Sequence, residues 1–177
     1  MPNNKKKTVI LSSLVTSVLA LAAGGQVHAM GGGMGGGCAS GLISVTALAS
    51  DLDFTQIEPC AGTAGSVSIN PGTGARTTAG CISTVLGTHT RGRFRVRANQ
   101  TKNNRRVHVQ IPGSAVINSG GNKMTVTGLS LSPGGGTTDT ILGKATETYF
   151  VGGTDNVAAS QAAGTYTGAL TVTATCL

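Results

Sequence analysis

From Tyr166 to Cys176 the chain alternates strictly. Tyr166, Gly168, Leu170, Val172, Ala174 and Cys176 fall on one side, and Thr167, Ala169, Thr171, Thr173 and Thr175 on the other. A period of two is that of a β-strand, and so many β-branched residues disfavour a helix, so the segment predicts a closing strand entered through Gly164. The same alternation recurs upstream. Ile43, Val45 and Ala47 predict a first strand, and Ser66 to Asn70 a short one ended by the turn Pro71-Gly72-Thr73-Gly74. Cys81 to Leu86 predicts another. Phe94, Val96 and Ala98 against Arg93, Arg95 and Arg97, then Val107, Val109 and Ile111 against Arg106, His108 and Gln110, predict a hairpin turning over Asn99 to Asn104. Lys123 to Leu131 and Ala145 to Val151 follow, the second ended by Gly152-Gly153 as a turn. No segment repeats every 3.6 residues. Seven to nine short strands between turns predict an all-β, antiparallel β-sandwich over residues 42–177.

The N terminus breaks this pattern. Lys5, Lys6 and Lys7, the apolar run Val9 to Ala23 and the small-residue site Val27-His28-Ala29 predict a signal peptide over residues 1–29. The run is shorter than the ~20 residues that span a bilayer, and no second one follows, so the mature chain has no predicted transmembrane segment. Residues 30–41 open with MGGGMGGG, a flexible glycine-rich leader. Cleavage takes thirteen Lys+Arg to ten against six acids, a net of +4 in place of +7. With no Trp, two Tyr and three Phe the core must come from Val, Ile, Leu and Ala, which favours cross-linking. The mature chain keeps Cys38, Cys60, Cys81 and Cys176, an even number in an exported protein, with three possible connectivities; Cys60–Cys81 with Cys38–Cys176 is the first choice.

Candidate chemistry is sparse. Asp51 and Asp53 stand at i and i+2, on one face of a strand, but no base or metal set accompanies them. No Cys-x-x-Cys, no Gly-x-Ser-x-Gly elbow and no phosphate loop occurs, so neither an enzyme nor a cofactor is expected. Arg93, Arg95, Arg97 and Arg106 form the one concentrated charge. They are candidates for binding an anionic polymer such as a surface polysaccharide, and the lack of aromatic residues among them speaks against specific nucleic-acid recognition.

The segments DLDFTQI, FRVRA, RRVHVQIP and FVGGTDNVAASQAAGTYTGALTVTAT occur in the order seen in a bacterial secreted family of pilin-like domains of unknown function. The chain resembles that family over residues 42–177, most closely from Val151-Gly152-Gly153 to Gly164-Thr165-Tyr166-x-Gly168. The closing segment is also similar to the C-terminal strand of chaperone-usher fimbrial subunits. Gly164 stands fourteenth from the end, as in those subunits, while Cys176 replaces their penultimate aromatic. The resemblance implies an immunoglobulin-like sandwich serving as a structural or adhesive subunit at the cell surface. Its partners would be further copies or other fimbrial subunits, with a periplasmic chaperone and usher. Assembly would proceed by strand complementation. In that scheme Ile43, Val45 and Ala47 form the donated strand, and Tyr166, Leu170 and Val172 line the receiving edge.

Overall fold

The computed structural model describes residues 15–17, 43–48, 50–60, 62–98, 106–142, 144–162, 164 and 166–177. They form strands and, among them, no helix. In chain order these are β1 (Val15–Ser17), β2 (Ile43–Ala47), β3 (Leu52–Pro59), β4 (Gly65–Ile69), β5 (Arg76–Gly80), β6 (Ile82–Leu86) and β7 (Gly92–Ala98). There follow β8 (Arg106–Gln110), β9 (Ser114–Ser119), β10 (Asn122–Ser132), β11 (Thr138–Leu142), β12 (Thr146–Val157) and β13 (Thr173–Cys176). All pairings are antiparallel. One layer is a seven-stranded sheet ordered β2-β7-β12-β10-β9, with β4 also on β12 and β5 on β4; the other comprises β1-β3-β6 and β11-β8-β13. The fold is the expected antiparallel β-sandwich. Its strands outnumber the seven to nine expected, because β5 (RTTAG) is polar and exposed on both sides and β9 and β11 sit beside glycine-rich turns that hid them.

One core holds the layers together. Phe54 and Ile57 of β3, Val107 and Val109 of β8 and Ile141 of β11 meet Val67, Phe94, Val96, Val126 and Val151 of the large sheet. Tyr149 stacks on Phe94 with ring centroids 5.2 Å apart, and its hydroxyl donates to Asp139 Oδ2 at 2.7 Å, tying β12 to β11 across the sandwich. Cys60 and Cys81 form the first of the expected disulfides, joining the end of β3 to the start of β6. Closing a loop of 21 residues restricts the unfolded chain by about 3 kcal/mol in the chain-entropy account. The pairing Cys38–Cys176 lies outside what is described, as do the leader at 30–41 and nearly all of the signal segment.

Three expectations are corrected. β7 and β8 are not a hairpin: β7 lies between β2 and β12 in the large sheet, and β8 between β11 and β13 in the opposite layer. Their alternation reports an inner and an outer face without saying which strand is the neighbour; the proposed turn at 99–104 lies outside the described residues. Gly152-Gly153 is not a turn but the middle of β12. Along one edge β12 pairs with β7 as far as Val151 and with β4 from Gly153, so the backbone of Ile69 and Pro71 closes over Gly152, leaving no room for a Cβ there. Finally, only Thr173–Cys176 of the closing segment is strand.

The closing segment nonetheless keeps its period of two, with Tyr166, Leu170 and Ala174 buried and Thr167, Ala169 and Thr171 exposed. Thr167 bridges to Asn118 of β9, and six residues later β13 joins β8, so the run passes from one layer to the other. Tyr166 anchors it. The fully buried ring places its hydroxyl to donate to Ala162 O at 2.7 Å and to accept from Gln161 Nε2 at 2.6 Å, the tyrosine corner of immunoglobulin-like sandwiches. The flanking glycines fit tightly: a Cβ on Gly168 would lie 2.6 Å from Val116 O, and one on Gly164 would strike the Ser119 side chain. Close approach therefore explains both glycines of Gly164-Thr165-Tyr166-x-Gly168. Tyr166→Phe is expected to cost about 1–2 kcal/mol in urea unfolding, since it strands the Ala162 carbonyl and leaves Gln161 Nε2 only its longer bond to Lys123 O at 3.4 Å; an unchanged midpoint would mean that the Tyr166 hydroxyl contributes nothing to the fold.

Candidate functional site

One edge of β3 is paired with β1. Asp53 exchanges both backbone bonds with Thr90, at 2.9 and 3.0 Å, which turns the N–H groups of Leu52 and Phe54 to the opposite side. On that side, among the described residues, lies β1, with Thr16 against Asp53 and Ser17 against Leu52. Thr55 then bends the strand. Its φ of 69° puts a β-branched residue in left-handed space, held by its N–H to Asp53 Oδ1 at 2.7 Å and its hydroxyl to Leu86 O. The bend shifts the alternation, so that Leu52, Phe54 and Ile57 all face inward.

Beside this edge the second layer is split. Residues 168–172 belong to no strand, and among the described residues β3 pairs with β1 and β6 and bridges to Thr90. Between them lies an apolar cavity of about 30 Å3, lined by Leu52 from β3, by Gly168, Ala169 and Leu170, and by Ile117 and Val126 of the large sheet.

The residues expected to mediate assembly divide. Leu170 reaches this cavity and Val172 packs on the core nearby, whereas Tyr166 is consumed by its corner. Ile43, Val45 and Ala47 are half-buried in β2, which is paired with β7 of its own chain from Ile43↔Ala98 to Ala47↔Phe94. They are therefore part of the domain and not a free donor strand. Of the arginines, Arg93, Arg95 and Arg97 project from the outer face of the large sheet, while Arg106 is on β8 in the other layer. Arg91 belongs to neither group. Its guanidinium lies 3.6 Å from the Phe150 ring centroid and donates to Pro71 O and Gly72 O, clamping the β4–β5 turn.

The Asp53 carboxyl is held above its usual range chiefly by burial, with the Thr55 N–H opposing and Asp51 adding to the rise. Among the described residues no three of His, Cys, Asp and Glu are placed to hold a metal. No helix among them is long and apolar enough to cross a membrane. Pattern reading missed Asp155. Its position, two residues from Val157 and four from Val151 on β12, puts it on the buried face, where it is fully enclosed and neither carboxyl oxygen has a hydrogen-bond partner.

A family described as a domain of unknown function, DUF4402, matches residues 43–175. The chain belongs to the DUF4402 family. The match runs from the first residue of β2 into β13, so the DUF4402 unit contains both sides of the split layer and the glycine-tyrosine corner. No curated protein and no solved structure matches this DUF4402 chain.

Proposed function

We propose that the chain is a structural or adhesive subunit of a bacterial surface fibre, exported by its signal peptide and joined to its neighbours by strand complementation. The observation that carries this reading is the edge of β3 beside the apolar split. The strand on that edge, β1, comes from the segment expected to be cleaved. Cleavage after Ala29 leaves the Leu52 and Phe54 amides unpaired next to a cavity, the combination that an incoming extended segment satisfies with main-chain bonds and a small apolar side chain. Because β2 is committed to β7, that segment comes from elsewhere in the partner subunit. A periplasmic chaperone would cover the edge until assembly, recognising it without the usual penultimate aromatic.

Hydrogen exchange tests the edge. In the processed monomer the Leu52 and Phe54 amides are expected to exchange orders of magnitude faster than the paired Asp53 amide, and to become protected in material sheared from the cell surface. Equal protection of all three in monomer and sheared material would mean that β3 accepts nothing.

A further inference from the structure

The seven-stranded sheet has an outer face that the strand-accepting edge does not use. Ser114, Thr127, Thr154, Ser68 and Thr77 stand in register across β9, β10, β12, β4 and β5. At ordinary strand spacing this hydroxyl row extends for roughly 19 Å. Beside it run Val116, Thr125, Asn156, Ser66 and Ala79. The row is internally braced: Ser68 and Thr154 share a 2.8 Å hydrogen bond, and Asn156 Nδ2 donates to Thr127 Oγ1 at 2.8 Å. At the other end of β12 the same face continues into arginines. Arg95 lies between Thr46 and Thr148, Arg97 between Ser44 and Thr146, and Arg93 beside Phe150. Arg95 and Arg97 are exposed, and the Arg93 Nε is buried with no acceptor in the protein.

None of the carboxylates stands in the outward register of this face. The chain's six acids are Asp51, Asp53, Glu58, Asp139, Glu147 and Asp155. The first four lie on or just before β3, or on β11, and the last two share the inward register of Tyr149 on β12. Lys123 adds a further exposed cation in the outward register of Thr125 and Thr127.

We infer that this face binds an anionic polysaccharide lying across the strands, its carboxylate or sulfate groups on Arg93, Arg95 and Arg97 and its hydroxyls on the Ser/Thr/Asn rows. The planar guanidinium fork pairs with carboxylate in two parallel bonds, which favours Arg over a diffuse positive field. Short hydroxyl and amide side chains held on a sheet lose little entropy when they bond sugar hydroxyls. Nucleic acid fits less well, because unpaired bases need aromatic platforms and the one aromatic on this face, Phe150, is covered by Arg91.

The test is binding of the exported chain, purified from the cells that make it, to polygalacturonate, neutral dextran and double-stranded DNA over a range of NaCl. Polygalacturonate is expected to bind at least ~10-fold more tightly than either of the others at equal salt. Arg95→Ser with Arg97→Ser should weaken it ~10-fold or more and flatten the salt dependence, with an unchanged melting temperature because both side chains are exposed. Thr127→Ala with Thr154→Ala should weaken it a further ~3-fold without altering the salt dependence. DNA held as tightly as polygalacturonate, or unaltered binding by the arginine variant, would overturn the inference.

Discussion

Asp155→Asn is expected to leave unfolding free energy near pH 4 little changed and to raise it at pH 8 by on the order of 2–4 kcal/mol. The carboxyl lies between Val67 of β4 and Val126 of β10; burial pushes it up to about 7, opposed by the nearby Asn156 backbone N–H, which lies outside hydrogen-bond geometry. In the unfolded chain an aspartate titrates near 3.8. Between those values the native state therefore holds a proton that the unfolded state has released, and stability falls as pH rises through the window. Each pH unit within it is worth about 1.4 kcal/mol at most. Asparagine has nothing to ionise, so its stability should be flat over the same range. Urea unfolding of both proteins from pH 4 to pH 8 reads this directly; parallel profiles would show that Asp155 is solvated or paired in solution.

Gly152→Ala should cost roughly 3 kcal/mol or more, since the new Cβ would occupy the place of the Ile69 carbonyl and Pro71 ring. Relief requires β4 to leave β12. That would also free the 70–74 turn from the Arg91 clamp, because the turn follows β4 directly. Gly136→Ala is the matched control: a Cβ there has nothing within 4 Å, and the change should lie within about 0.5 kcal/mol of neutral. Guanidinium titration of the two variants separates crowding from general glycine replacement. A Gly152→Ala midpoint as high as that of Gly136→Ala would mean that β12 does not run against Ile69 as described.

Single residues show how far the pattern of the chain could be read. Phe94, Val96 and Ala98 are buried and Arg95 and Arg97 exposed, as a period of two requires, because that period follows from the pleat alone. Which strands are neighbours does not follow from it. Val96 lies beside Val45 and Glu147, and Val109 beside Ala174 and Asp139, so the supposed hairpin partners sit in opposite layers. Gly152-Gly153 has the composition of a turn, but its glycines serve close backbone approach, a contact made with β4 some eighty residues earlier and invisible locally. Asp155 was legible in principle: the inward register of Tyr149, Val151 and Val157 runs through it. The cavity at Leu52 and Leu170 was not, since it arises where two segments fail to pair.

The role proposed for this DUF4402 chain is that of a fibre subunit. Electron microscopy of material sheared from the surface of producing cells, labelled with antibody to this chain, tests it most directly. Label along or at the tips of filaments is the predicted result; label confined to soluble, unassembled protein would contradict it.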